Sequence, residues 1–213
     1  SLHFGFSKKN ILSSVSFPLK GGETLQLKGS NGCGKTTLCK ILAGLLKGYK
    51  GEIQWQNLAD KKKDSKDLKP FVSYLASETN GLFLELSAFE NMNYWLRLKG
   101  LRKSKEELLT LLEQGKVAPR YFLETLAVRK FSTGMKRRLA LLRSFSLEAP
   151  LVVLDEPTSG LDQSGLQLFR KLLQKHTENH GMAVIVSHDL DISQMVPTQF
   201  LDLSSPNPQK GVL

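Results

Sequence analysis

The 213-residue chain is long enough for one α/β domain with an inserted helical lobe and a substantial buried core. No apolar run approaches the roughly 20 residues that cross a bilayer, and residues 1–9 lack the apolar segment of a signal peptide, so we expect a cytosolic protein. The formal net charge of +10 fits anionic lipid headgroups or nucleic acid. Because the basic residues are scattered and no basic strand carries interleaved aromatic residues, direct nucleic-acid binding is not expected.

A glycine-rich loop follows the apolar strand predicted over residues 25–28. The sequence from residue 29 to residue 36 reads G-x-x-x-x-G-K-T. In such a loop, backbone N–H groups and the helix N-terminus point at the β-phosphate, the lysine reaches the β- and γ-phosphates, and the threonine hydroxyl can bind Mg²⁺. We prefer this interpretation to a glycine-rich turn without a ligand. A disulfide between Cys33 and Cys39 would distort the loop, so both are predicted to be free thiols.

The middle of the chain is predicted to be helical. It follows a lysine-rich stretch at residues 61–70, which we interpret as a solvated loop; attraction to anionic lipid is the functional alternative. Ser87 and Glu90 form a predicted capping box that opens a helix ending near Gly100. A second helix is predicted between residues 104 and 115.

A Ser-Thr-Gly-Met turn within residues 131–135 precedes a third, basic helix, predicted from Gly134 onward and ended by Pro150. The next strand, residues 151–154, is apolar at every position, as expected of a central parallel strand buried on both faces. The sequence therefore predicts strand-helix alternation that resumes after the helical segment.

Two strands end in polar residues. The first is followed by Asp155 and Glu156, which can hold the Mg²⁺ shell and polarise an attacking water, respectively; a solvated acidic turn is the weaker alternative. The second, at residues 183–186, is followed by Ser187 and His188. Open α/β sheets bind ligands at the carboxyl ends of their strands, so we favour a γ-phosphate contact for His188 over a capping or surface role.

These motifs, in this order, resemble the nucleotide-binding subunit of an ABC transporter, and the resemblance covers nearly the whole chain. The matched segments are residues 29–37 for the Walker A loop, 131–135 for the signature turn L-S-G-G-Q, 151–156 for Walker B, 159–162 for the D-loop and His188 for the switch histidine. Phe6 falls where the family has the aromatic residue that stacks on adenine. Phe4 lies two residues away, and either phenylalanine could instead belong to the core.

The resemblance implies ATP and Mg²⁺ as ligands and assigns the site residues. Catalytic roles fall to Lys35, Glu156 and His188. The residues implied for ATP binding are Phe6, Gly29, Ser30, Asn31, Gly32, Cys33, Gly34, Lys35, Thr36, Thr37, Ser132, Thr133 and Gly134. The residues implied for Mg²⁺ are Thr36, Asp155 and Glu78.

The chain departs from the family pattern in its signature turn. Thr133 replaces the first glycine and Met135 replaces the glutamine. We interpret both as marks of a subfamily, since Ser132 and the Gly134 backbone remain for catalysis across a dimer.

The glutamine that contacts Mg²⁺ in the family is absent from residues 74–92. Counting forward from Tyr74 places Ser77 at its position, whereas counting back from Glu90 places Glu78 there. We favour Glu78, because a carboxylate is a hard oxygen ligand that reaches further than a serine hydroxyl.

The resemblance implies a P-loop NTPase fold of the ABC ATPase type. Its mainly parallel α/β core would comprise residues 1–84 and 149–203, with an antiparallel edge subdomain and a helical lobe at residues 85–148. Residues 204–213, which include two prolines, are predicted to form a loose tail.

The implied function is ATP hydrolysis that drives transport through integral-membrane subunits at the cytoplasmic face of the membrane. The working unit would be a head-to-tail homodimer or pseudo-dimer. The signature variant and the lack of a long C-terminal regulatory domain favour an exporter; multidrug, polysaccharide and haem-exporter subfamilies stay open. The alternative is a soluble ABC ATPase acting on a protein or nucleic-acid complex. A P-loop kinase is disfavoured by the Ser132 turn and by residues 155–162.

Overall fold

The computed structural model describes residues 2–6, 9–54, 71–78, 80–188, 191–204 and 210–212. Its strands are β1 Leu2–Phe6, β2 Lys9–Val15, β3 Thr24–Lys28, β4 Val72–Leu75, β5 Leu151–Asp155, β6 Met182–Val186, β7 Thr198–Asp202 and β8 Lys210–Val212. Its α-helices are α1 Lys35–Leu42, α2 Ala88–Leu98, α3 Lys105–Gln114, α4 Arg120–Leu123, α5 Thr133–Ser146 and α6 Gln163–Glu178. The lysine-rich stretch 61–70 lies outside the described residues.

A sheet with the strand order β4-β5-β6-β3-β7-β8 forms the centre of the fold. The pairs from β4 to β7 are parallel, and β5 is buried at every position, as its apolar sequence predicts. Leu25 and Leu27 of β3 pack in the cluster that includes α1, while Val152 and Leu154 of β5 pack in the cluster that includes α6. The predicted core is therefore a sheet covered on both faces. The antiparallel pair β1 and β2 supplies the predicted edge subdomain.

The predicted loose tail is wrong at Lys210–Val212, which forms β8. This strand pairs antiparallel with β7, with Leu201 opposite Lys210 and Gln199 opposite Val212. An edge strand carries backbone N–H and C=O groups that need partners, and β8 provides them for β7. The loose tail was predicted from its two prolines, but both prolines precede the strand.

The segment between β4 and β5 is a helical lobe. The predicted capping box at Ser87 forms, with Ser87 Oγ accepting from Glu90 N at 3.2 Å. The helix predicted after Ser104 also begins with a capping box, in which Ser104 Oγ accepts from Glu107 N at 3.2 Å. Helix α5 begins at Thr133, one residue before the predicted start, because the Ser132 side chain caps it. Buried apolar residues of α2, α3 and α5 form one cluster. Among the described residues, no helix has the length and apolar composition needed to cross a bilayer.

His176 fixes the end of α6 to the start of β6. Its Nε2 lies 3.0 Å from the carbonyl oxygen of Met182, and its ring packs edge-on against Phe145 with centroids 5.6 Å apart. A side chain at Gly181 would meet the imidazole at 2.3 Å, so the glycine provides the space for the ring. Burial lowers the pKa of His176, which favours the neutral ring with its proton donated to the carbonyl.

We expect His176 to make stability depend on pH. The folded protein holds this proton less tightly than the unfolded chain, so the free energy of unfolding should fall as the pH drops through 6.5 and level off below the folded-state pKa. The slope from one such proton is at most about 1.4 kcal/mol per pH unit. Urea unfolding followed by circular dichroism between about pH 7.5 and pH 5.5 should show this slope in the native protein and a flatter one in His176→Gln. Parallel slopes would exclude the buried imidazole as its source.

Candidate functional site

The carboxyl ends of three neighbouring strands meet at one edge of the sheet. Strands β3, β6 and β5 are parallel, with Leu27 opposite Val186 and Asp155 opposite the same Val186. The glycine-rich loop follows β3, the Asp155–Glu156 pair ends β5, and His188 follows β6. The register thus brings together three segments that are far apart in sequence.

The loop between β3 and α1 has a backbone that requires glycine. Gly34 caps α1 with a φ of 106°, and a Cβ there would lie 2.7 Å from a methyl of Leu12 and 3.2 Å from the carbonyl oxygen of Ile11. Lys35 is the first residue of α1, and its Nζ donates to the carbonyls of Gly29 at 2.7 Å and Ser30 at 3.0 Å. The ammonium group is therefore held inside the loop at the helix N-terminus, where a phosphate is favoured.

Ser204, from the predicted tail, closes one side of this loop. Its Oγ accepts from Ser30 N at 2.9 Å, and its own N–H donates to Asp202 Oδ1 at 2.8 Å. The amide of Ser30, a predicted ATP contact, is thus hydrogen-bonded within the protein. The sequence offered no motif for this contact, because it joins residues 174 positions apart.

Thr36 and Asp155 form the predicted oxygen-ligand pair. Thr36 Oγ1 donates to Asp155 Oδ2 at 2.8 Å, across 119 positions of sequence, and Asp155 is buried. A hydroxyl and a carboxylate beside a phosphate-binding loop are the hard oxygen ligands that Mg²⁺ takes. The donor set fits the ion, and the carboxylate needs such a partner because its burial is otherwise costly.

Glu156 and His188 form a second pair on the open side of Asp155. His188 Nε2 lies 3.5 Å from Glu156 Oε1, and both side chains retain access to solvent. Glu156 has a φ of 51°, a left-handed conformation that costs a non-glycine residue about 1–2 kcal/mol. Its N–H donates to the carbonyl of Val186 at 3.0 Å, which ties the turn after β5 to β6. Strain of this kind, held by the surroundings, is typical of functional positions.

Gln26 supports His188 from inside the sheet and was missed in the sequence. The residue is 2% exposed; its Nε2 donates to the carbonyl of Ser187 at 3.3 Å, and its Oε1 accepts from Ile192 N at 3.2 Å. These bonds hold both sides of the segment that carries His188. The available signal was a polar residue within the apolar strand L-Q-L. A cleft of about 360 Å³ lies above it, lined by Gln26, Leu27, Lys28, Gly29, Ser187, His188 and Asp191.

The Ser-Thr-Gly-Met turn lies on the helical lobe. Ser132 Oγ accepts from Met135 N at 3.2 Å and so caps α5, while Ser132 and Thr133 are exposed. A Cβ at Gly134 would lie 3.3 Å from the carbonyl oxygen of Gly160, which places this turn against residues 159–162. The turn therefore presents a helix N-terminus to solvent, next to the loop that follows Glu156.

Both candidates for the missing glutamine, Ser77 and Glu78, are exposed in the loop after β4. Burial raises the pKa of the Tyr74 phenol, and Cys39, Asp155 and Glu78 raise it further. The charge of Glu78 therefore acts on the Tyr74 phenol, although the Mg²⁺ contact of Glu78 stays a prediction. The Phe6 backbone pairs with Lys9 in β1, and its side chain lies outside the described residues, so the adenine contact also stays a prediction.

Comparison with known proteins places this site in a family context. A protein-family model described as ABC transporter matches residues 12–159. The cytochrome c biogenesis ATP-binding export protein CcmA of Histophilus somni is 32% identical over 180 residues, which cover 84% of this chain and 81% of that protein. CcmA of Xanthomonas axonopodis pv. citri is 32% identical over 202 residues, which cover 95% of this chain and 91% of that protein.

Solved structures share the fold. The ATP-binding subunit of an ABC transporter superposes with a TM-score of 0.83 at 25% identity, covering 100% of this chain and 88% of that one. The ATP-binding cassette MJ0796, a dimer in a post-hydrolysis state bound to ADP and Pi, gives a TM-score of 0.79 at 21% identity, with 99% and 95% covered.

Replacing Lys35 tests the phosphate-binding loop. We expect Lys35→Ala to weaken ATP binding and to remove most ATP hydrolysis while the protein stays folded, because the charge inside the loop is lost. Lys40→Ala is the matched control, since Lys40 is exposed on the same helix. Binding of a fluorescent ATP analogue, steady-state hydrolysis and circular dichroism are the measurements. Native hydrolysis in Lys35→Ala would refute a nucleotide site in this loop.

Replacing Glu78 and Ser77 one at a time decides which of them occupies the position of the family's glutamine. If Glu78 is a Mg²⁺ ligand, Glu78→Ala lowers Mg²⁺-dependent turnover, Glu78→Gln keeps turnover with a shallower Mg²⁺ dependence, and Ser77→Ala behaves as native. The measurement is the initial rate of hydrolysis in a Mg²⁺ titration at fixed ATP. A defect confined to Ser77→Ala would instead assign the position to Ser77.

Proposed function

The chain belongs to the ABC transporter family of ATP-binding subunits, and we propose that it powers export through separate membrane subunits. Family membership confirms the predicted fold class and the predicted ATPase activity. The residue roles, the dimer, the membrane partner and the exported substrate are parts of our proposal.

One observation carries the assignment of residue roles: Thr36 and Asp155 meet at 2.8 Å beside the pair formed by Glu156 and His188. Lys35 and the loop amides bind the phosphates, and Thr36 with Asp155 would hold Mg²⁺, which supplies positive charge against the phosphate oxygens. Glu156 accepts a proton from the attacking water, since its carboxylate follows the Mg²⁺ ligand Asp155 and lies 3.5 Å from His188 Nε2. His188 contacts the γ-phosphate and orients Glu156.

The second half of the ATP site comes from another copy in this proposal. Ser132 and Thr133 are exposed at the N-terminus of α5, a helix end that carries a partial positive charge. A head-to-tail dimer would place this turn on the γ-phosphate held by the partner's loop. Closure would then bury the phosphates, and hydrolysis would reopen the dimer. The dimeric forms in which MJ0796 was solved support this arrangement.

An exposed apolar surface on the helical lobe supports docking of a membrane subunit. This lobe patch consists of Phe83, Leu84, Tyr94 and Leu98, which are 41% to 62% exposed. The rings of Phe83 and Tyr94 pack edge to face with centroids 4.7 Å apart, so the aromatic part of the patch is preformed. Exposed apolar surface of this kind, next to the loop after β4, fits a protein partner.

The proposed pathway is cytochrome c biogenesis, at the cytoplasmic face of the membrane. The similarity to CcmA proteins extends over 95% of this chain in the Xanthomonas protein, and both relatives are named as export proteins. The variant signature turn, with Thr133 and Met135, is consistent with an exporter. A soluble ABC ATPase that acts on another complex is the outcome that the membrane experiment below would reveal.

Replacing the catalytic base tests the dimer. If Glu156 activates water without holding ATP, Glu156→Gln stops turnover and lets ATP accumulate in a closed dimer. Light scattering coupled to gel filtration should show a dimer for this variant with ATP and Mg²⁺ and a monomer with ADP. A monomer at saturating ATP and Mg²⁺ would contradict closure on two nucleotides.

Replacing a patch residue tests the membrane partner. We expect Tyr94→Glu to lose co-purification with a multi-span membrane protein from detergent-solubilised membranes, because a charge opposes burial of the patch. Tyr121→Glu is the control, since Tyr121 is 69% exposed on α4 outside the patch. ATP hydrolysis by the isolated protein should be native in both.

The same variants address the pathway in cells that lack the native gene. The native gene and Tyr121→Glu should restore covalently haem-bound c-type cytochromes, measured by haem staining of gels, and Tyr94→Glu should not. Normal cytochrome c in the deletion strain would refute a role in cytochrome c biogenesis. A soluble partner retained by both variants would favour the non-transporter alternative.

A further inference from the structure

Arg137 is a buried cation at the centre of the site and has no role in the motifs described above. It lies on α5, shortly after the exposed Ser132 turn, and is 3% exposed. A buried guanidinium requires partners for its N–H groups, because an unpaired buried donor is costly. The contacts of Arg137 therefore indicate what its burial holds in place.

Each of the five guanidinium N–H donors has an acceptor. The acceptors are the backbone carbonyls of Asp155, Glu156, Pro157 and Ala76 and the side-chain Oδ1 of Asn80. The bonds to Asp155, Ala76 and Asn80 measure 3.0 Å, and the bond from Nε to Pro157 measures 3.1 Å. A planar fork with five fixed donors matches this set, whereas a lysine offers three donors from a single point.

These acceptors belong to two segments with proposed catalytic roles. Three consecutive carbonyls surround Glu156, whose left-handed backbone needs external support. The other two acceptors enclose Ser77 and Glu78, the candidates for the missing glutamine. Arg137 thus joins the turn of the catalytic base, the loop after β4 and the helix that begins at the signature turn.

We propose that Arg137 is a positioning residue for ATP hydrolysis, which orients the Glu156 carboxylate and fixes it to the loop after β4. The proposal rests on the catalytic role given to Glu156 under the proposed function. Arg137 contacts neither Lys35 nor the glycine-rich loop among its hydrogen bonds to described residues, so its loss should affect turnover and leave ATP binding intact.

The primary variant is Arg137→Lys, which keeps the charge and removes the planar fork. We expect the kcat for ATP to fall roughly tenfold to a hundredfold, because a small displacement of a catalytic group has an effect of this size. The KM and the Kd for a fluorescent ATP analogue should stay within about twofold, since the binding loop is unchanged.

Arg143→Lys is the matched control. Arg143 is buried on the same helix and also donates to backbone carbonyls, those of Gly81 at 3.2 Å and Tyr74 at 3.1 Å, outside the turn of residues 155–157. Its kcat should stay within about twofold of native. Equal losses of kcat in both variants would overturn the proposal, because they would reflect only the disturbance of a buried arginine.

Combination with Glu156→Gln separates positioning from general damage. If Arg137 acts through Glu156, adding Arg137→Lys to Glu156→Gln causes no further loss in the slow residual hydrolysis that a single-turnover assay measures in Glu156→Gln. Multiplied losses would overturn the proposal. Full turnover in Glu156→Gln alone would refute the role of Glu156 itself, whereas full turnover in Arg137→Lys beside an inactive Glu156→Gln would refute positioning alone.

Thermal unfolding checks that Arg137→Lys folds. If it does not, Asn80→Ala takes its place, because it removes one acceptor and leaves the guanidinium buried. We expect this variant to lower kcat by roughly threefold to tenfold at native KM, a smaller effect than loss of the whole fork. Native kcat in folded Asn80→Ala would overturn the tie between the two segments.

Discussion

The parallel register of the central strands is the constraint on which the rest of this structure depends. Because β3, β5 and β6 run in the same direction with their ends aligned, the glycine-rich loop after β3, the acidic pair at the end of β5 and the histidine after β6 lie at one edge. Thr36 and Asp155, 119 positions apart, come within a hydrogen bond as a result. A shift of register in any of these strands would separate the phosphate loop from its carboxylate partners.

The sheet edge alone does not fix the segment that carries His188 or the turn at Glu156. A buried polar side chain holds each of these two segments. Gln26 fixes the segment that carries His188 from within β3. Arg137, on α5, donates hydrogen bonds to the backbone carbonyls around Glu156. Both are buried polar residues that bond mainly to backbone groups, and so they add geometric precision at a place where side chains must be held against strain. The helical lobe thereby contributes contacts to the candidate site.

The sequence predicted the parts of this structure that depend on local chemistry. The capping box at Ser87, the helix that starts after Ser104 and the buried strand β5 follow from short patterns, and they formed where expected. The phosphate loop and the acidic pair were identifiable because chemistry fixes their residue types and spacing.

Contacts between distant segments were not predictable in this way. Strand β8 depends on a partner in β7, and the bond between Ser204 and Ser30 joins residues 174 positions apart. Arg137 could have been noticed, because it lies on the helix face of Ala140, Leu141 and Ser144, all of them buried. Its acceptors could not be predicted, since four of them are backbone carbonyls and the fifth is the Asn80 side chain, and their positions depend on the whole fold.

The central claim is that two chains complete each ATP site, with Lys35 from one and the Ser132 turn from the other. It is tested most directly by mixing Lys35→Ala with Ser132→Arg, each of which we expect to lose most activity alone. An equimolar mixture contains mixed dimers in which one site has both an intact loop and an intact turn. The account predicts ATP hydrolysis well above that of either variant by itself. Hydrolysis no higher than that of the separate variants, with mixed dimers present by native mass spectrometry, would contradict it.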